Sequence, residues 1–147
     1  QINALAPVSL TANSSATMSV VVDGAAAAGS SVPVVAAAPG IFTVTGGTGQ
    51  AAVNNQDGSL NSASNPAARG TVVSLYATGQ GSGAGEITLN IAGYNAPLLY
   101  AGPAPGFPGL MQINAQIPTG FLPPGIQLVV LSVGGAASQA GVTLAIH

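Results

Sequence analysis

Glycine and proline interrupt this chain every few residues, 21 and 11 times in 147 positions. Each interior glycine costs a helix about 1 kcal/mol against alanine and each proline about 3, so a mostly helical fold is excluded. Between the breakers lie short blocks rich in Val, Ile and Leu, and 48% of the chain is hydrophobic. Disordered chains lack such blocks. Short apolar blocks separated by Gly, Pro, Asn and Ser predict an all-β sandwich or barrel.

Charge narrows function. Only 3% of residues are charged, and the lone cation is Arg69. A phosphate-tracking nucleic-acid binder needs a basic stripe, and most enzymes need proton-moving or metal-holding groups that are nearly missing here. With no Cys, thiolate zinc sites, redox motifs and disulfides are ruled out. Residues 87–146 carry no charge, yet Gly and Pro break them before any 18-residue apolar run develops. The strands are too few and short for a transmembrane barrel. The chain opens at Gln1 without Met. The expectation is a processed extracellular or cell-surface protein.

An internal repeat organises the chain. Gln1-Ile2-Asn3-Ala4 recurs as Gln112-Ile113-Asn114-Ala115, 111 positions later, and Val22-Asp23-Gly24-Ala25-Ala26 matches Val133-Gly134-Gly135-Ala136-Ala137 at the same offset. A one-residue slip then pairs Val32 and Val34 with Leu144 and Ile146. In the second copy, strands are expected over 71–77, 86–92, 96–100, 111–117, 126–133 and 142–146. Ile87, Leu89 and Ile91 alternate with polar residues, as do Ile113, Ala115 and Ile117. The block 126–133 is nearly all apolar and is expected to be a central strand buried on both faces. In the first copy, strands are expected over 2–5, 17–22 and 32–35, with Met18, Val20 and Val22 inward.

The fold class expected is therefore all-β and immunoglobulin-like. A complete β-sandwich spans 71–147, a linker and turn region 46–70, and an incomplete half-unit 1–45. The half-unit lacks the first three strands of the pattern and needs strand complementation.

Several segments resemble a known family: Ala38-Pro39-Gly40-Ile41-Phe42, Asn55-Gln56-Asp57-Gly58-Ser59-Leu60-Asn61, Asn65-Pro66-Ala67, Tyr76-Ala77-Thr78-Gly79 and Val133-Gly134-Gly135-Ala136-Ala137-Ser138. Together, and in this order, they resemble the paralogous C-terminal domain family abundant in acidobacterial secreted proteins. The resemblance implies two immunoglobulin-like β-sandwich units in tandem at the end of exported proteins. It implies no catalytic activity. Members of the family carry the front half of the first unit before the Gln-Ile-Asn segment at which this chain begins.

Other motifs read as structure rather than chemistry. Asp57 is a weak calcium candidate within residues 55–61, because a calcium loop wants several carboxylates and Asp57 is the only acid there; a self-bonded turn accounts for the same residues. His147 is the only His and the last residue, and no Gly-x-Ser-x-Gly elbow accompanies it. Asp23, Asp57 and Glu86 sit in separate elements, which leaves no carboxylate pair. Gly79-Gln80-Gly81-Ser82-Gly83 is read as a hairpin loop, since no Lys follows it. Asn13-Ser14-Ser15 fits the N-glycosylation pattern. Tyr76, Tyr94, Tyr100, Phe42, Phe107 and Phe121 are expected to fill core and corners, with a sugar-binding face as the alternative.

The functional expectation is a non-catalytic extracellular structural protein needing no cofactor. It would assemble head-to-tail with other copies of itself into a filament by strand complementation. The interface expected is Ile2, Ala4, Met18, Val20, Val22, Val32 and Val34. The alternative is a passive spacer, or a carbohydrate-binding or adhesion module of a larger secreted protein. In that alternative, residues 38–53 supply the strand that covers the half-unit.

Overall fold

The computed structural model describes residues 2, 4–7, 9–81, 85–120 and 122–147. Gln1, Asn3, Phe121 and part of the expected 79–83 loop lie outside them. The described residues form fifteen strands: β1 (Ser14–Met18), β2 (Val21–Val22), β3 (Ala25–Ala26), β4 (Ser30–Val34), β5 (Gly40–Ile41), β6 (Gly49–Gln50), β7 (Val53–Asn54) and β8 (Val72–Thr78). Then follow β9 (Ile87–Ile91), β10 (Tyr94–Asn95), β11 (Leu98–Pro103), β12 (Met111–Gln116), β13 (Gly125–Val133), β14 (Ala136–Ala137) and β15 (Val142–Ile146). The all-β expectation holds.

Two sheets face each other. One runs β10-β9-β13-β15-β6 with β14 beside β13, and the other runs β11-β12-β8-β5 with β7 also on β8. All neighbours are antiparallel except β15 and β6. Period-2 alternation decides which side chains go inside. Val73, Leu75 and Ala77 from β8 and Met111, Ile113 and Ala115 from β12 meet Leu89 and Ile91 from β9. Val129, Leu131 and Val133 from β13 and Val142, Leu144 and Ile146 from β15 complete the same buried cluster.

Residues 46–70 are not a linker. They hold β6 and β7, and they place Ala51, Val53 and Ala67 in the core. Two-residue strands show no periodicity of their own, which hid them in the sequence. Residues 40–54 pair with β8 and β15, so they do not cover the N-terminal half-unit as the spacer alternative required. The boundary expected at residue 71 falls inside the sheets.

Asn61 is the buried polar side chain of the described core. Its Oδ1 accepts the Ala145 N–H at 2.9 Å and its Nδ2 donates to the Ala145 carbonyl at 2.9 Å. The side-chain amide thus stands in for a neighbouring strand along the edge of β15. Gln50 Nε2 donates to the same Oδ1, and Asn55 Oδ1 accepts from Nδ2. All of the amide's bonding capacity is used, which is what burial of such a group demands.

Two further expectations fail. The strand β13 is buried on one face only: Ile126, Leu128 and Val130 turn outward and are 52%, 61% and 37% exposed. Its outer face has no covering layer among the described residues. Residues 2, 4 and 5 form no strand. Their counterpart β12 is held between β8 and β11, and the first copy offers no such neighbours among the described residues.

Replacing Asn61 by alanine leaves the Ala145 N–H unpaired inside the protein, at about 1–3 kcal/mol, while the Ala145 carbonyl keeps the Ala67 N–H at 2.9 Å. Urea unfolding of Asn61→Ala is expected to show a loss of about 1–3 kcal/mol, with β8 to β15 still forming below the transition.

Candidate assembly surface

Residues 14–34 make a free-standing ribbon. β1 pairs with β4, and β2 pairs with β3 across the turn at Asp23-Gly24. Both turn residues have positive φ, 51° and 80°, which is the two-residue turn that suits the right-handed twist of a hairpin. Every strand residue of the ribbon is exposed except Ala16 and Val34, which are half-buried.

The ribbon is the second copy's hairpin built again. β13 pairs Leu128 with Thr143 and Val133 with Ala136; the ribbon pairs Thr17 with Ser31 and Val22 with Ala25. These are the positions that the repeat makes equivalent. The one-residue slip falls between β3 and β4, in residues 27–29 against 138–141. It therefore changes the length of that connection by one residue and leaves both ladders intact.

What differs is the cover. Met18, Val20, Val22 and Val32 are 60%, 37%, 63% and 36% exposed; their equivalents Val129, Leu131, Val133 and Leu144 are at most 2% exposed. In the second copy β9 extends the sheet beside β13, and the β8–β12 layer lies over it. Among the described residues, no strand lies beside β1 on the side away from β4, and no layer lies over Met18, Val32 and Val34.

Five residues of the expected interface, Met18, Val20, Val22, Val32 and Val34, thus stand on this ribbon. Met18, Val32 and Val34 share a face by register, with Ser15, Thr17 and Ser31 on the reverse. The strand expected over 17–22 is interrupted between Met18 and Val21, where the ladder register shifts. Ile2 and Ala4 are exposed but belong to neither ladder. The ribbon joins the sheets through Ala37, which packs against the core, and through the Ala38 N–H, which donates to the Gly79 carbonyl at 2.9 Å. A Cβ at Gly79 would come within 1.8 Å of the Ala38 oxygen, so this junction requires glycine.

The remaining candidates lie elsewhere. Asn13 is exposed at the foot of β1, with φ of 61°. Asp57 closes a turn: its Oδ1 accepts the Ser59 N–H at 2.9 Å and the Ser59 hydroxyl at 2.5 Å. The hydroxyl, then the backbone N–H, hold the carboxyl below its usual range. His147 lines an open depression with Asn55, Gln56 and Asp57. The six aromatic residues were expected in the core. Phe42, Tyr94, Tyr100 and Phe107 are instead exposed and Tyr76 is half-buried. Small Val, Ile and Ala side chains fill the space between the sheets, and these five aromatic residues point away from it; Phe121 lies outside the described residues.

No family model, curated protein or solved structure matches this chain.

Because the folded Asp57 carboxyl is lowered, its contribution to stability is present above the unfolded pKa and disappears as pH falls through the folded one. In an NMR titration, Ser59→Ala is expected to move the Asp57 pKa upward toward an ordinary aspartate.

Proposed function

We propose that this chain is a non-catalytic extracellular structural protein of immunoglobulin-like sandwich units, akin to the acidobacterial secreted domains it resembles. It assembles head-to-tail with copies of itself by completing the N-terminal ribbon. The observation that carries this reading is the apolar face of residues 14–34, exposed among the described residues, while the same face of the equivalent hairpin is buried in the same chain.

A ribbon in this state gains from a covering layer. Moving a Val or Met side chain from full exposure to full burial is worth about 1.5–3 kcal/mol, and the free edge of β1 offers backbone groups to an incoming strand. The neighbouring copy also carries an uncovered apolar surface, the outward stripe Ile126, Leu128 and Val130 of β13. At the equivalent positions the ribbon has Ser15, Thr17 and Ser19. Only the second copy is therefore apolar on both faces of this strand. Ribbon and stripe are different surfaces of one molecule, so their pairing is heterologous and propagates. The one charge on the ribbon is Asp23, at its turn. An association of this kind depends on burial and main-chain pairing and is nearly insensitive to salt.

Electron microscopy of the native chain is expected to show polymers that persist from dilute buffer to 1 M salt (about a threefold shorter Debye length than at 0.1 M). Val20→Asp on the ribbon and Leu128→Asp on the stripe each put an unpaired charge into the contact, and each variant alone is expected to stay monomeric. Each retains one intact surface, so an equal mixture is expected to form dimers that grow no further by sedimentation. A native chain that stays monomeric at high concentration overturns the proposal. Polymers formed by Leu128→Asp would assign the receiving surface elsewhere.

A further inference from the structure

We infer that the outer face of the five-stranded sheet binds a neutral oligosaccharide. This rests on a different sheet face from the assembly surface and is independent of it.

Register places the residues. Tyr76 on β8 lies opposite Gln112 on β12, and Ser74 lies opposite Asn114. Asn114 in turn lies opposite Tyr100 on β11. Phe42 follows β5 and donates its N–H to the Tyr76 carbonyl at 3.0 Å, which puts it next to Tyr76 on the same side. The inward neighbours Leu75, Ile113 and Ile41 are buried, so these six residues all face out. Half of the chain's six aromatic residues gather on this one face.

Two details fit a sugar rather than a core in waiting. The Tyr100 ring lies over Gly102, where a Cβ would sit 3.2 Å from its Oη and 3.4 Å from its Cζ. The Tyr100 hydroxyl donates to the Pro103 carbonyl at 2.6 Å. The ring is thus pinned along its strand and still 39% exposed, a fixed platform for the C–H face of a pyranose. Beside it, Asn114 Oδ1 accepts from Ser74 Oγ and from Gln112 Nε2, both at 3.0 Å. These bonds set the two amides in place and leave Asn114 Nδ2 and Gln112 Oε1 without a partner among the described residues. One offers N–H donors and the other a carbonyl acceptor, the pair that a sugar hydroxyl can use as acceptor and donor.

The chemical class follows. No charged residue stands among the six, which favours a neutral sugar over a uronic or sialic acid. Two strand spacings and a two-residue offset separate Tyr76 from Tyr100 by about 12 Å, longer than one ring, so the ligand is an oligosaccharide lying across the strands.

Isothermal titration of the full chain with cellohexaose, xylohexaose and laminarihexaose tests this. At least one hexaose is expected to bind, with Tyr100→Ala and Gln112→Ala each weakening binding at least about tenfold. Tyr100→Phe keeps the ring and is expected to retain most of the affinity. Tyr94→Ala, on the opposite sheet, is expected to bind as the native chain does. Failure of all three hexaoses to bind overturns the inference. So does native affinity in both Tyr100→Ala and Gln112→Ala.

Discussion

An apolar sheet face has to lie against something, and in this chain the same face is built twice with opposite outcomes. Across the β13–β15 hairpin, Val129, Leu131 and Val133 join Leu144 and Ile146 and bury against the β8–β12 layer. That packing closes the core. Across the β1–β4 ribbon, Met18, Val20, Val22, Val32 and Val34 present the same pattern, and no layer meets them among the described residues. A two-stranded ribbon has no interior of its own, and two strands are at best marginally stable in water. The ladder register is identical in the two copies, so the difference lies in the cover and not in the hairpin.

The core sheet handles its own edges differently. Beyond Thr143, β15 meets no further residue of β6; Ala145 meets the side chain of Asn61, which pairs with both of its backbone groups, and Ala67, whose N–H donates to the same carbonyl at 2.9 Å. The Asn-rich residues 54–68 hold that side chain in place through Asn55 and Gln50. The Asn61 amide and the Ala67 backbone together close this edge, and the amide alone satisfies the Ala145 N–H. β1 has no such amide along its outer edge among the described residues.

The sequence made the covered parts of this fold the easiest to read. Strict alternation in 87–91 and 111–117 pointed to strands and to their inward residues, and the inward residues are those that the core buries. The repeat pointed to the ribbon, and its one-residue slip is a real difference in the length of the connection before the last strand. Other features escaped for physical reasons. Gly49–Gln50 and Val53–Asn54 are too short to show a period, so their sheet membership depends on long-range pairing alone. Ile126, Leu128 and Val130 read as buried because hydrophobicity reports a preference for cover and not whether one chain supplies it. Asn61 looked like any turn residue, since its partner Ala145 lies 84 positions away. The aromatic residues read as core because large rings usually are, yet this core is filled by Val, Leu, Ile and Ala.

The proposed assembly rests on the ribbon, the outward stripe of β13 and the near absence of charge. Hydrogen exchange across residues 14–34, followed from high dilution to high concentration, tests this most directly. The account predicts fast exchange of the Val20, Val22 and Val32 amides at dilution and slow exchange once chains associate, while β12 stays protected throughout. Protection of the ribbon in a dilute monomer would contradict it, and so would fast exchange that persists at every concentration.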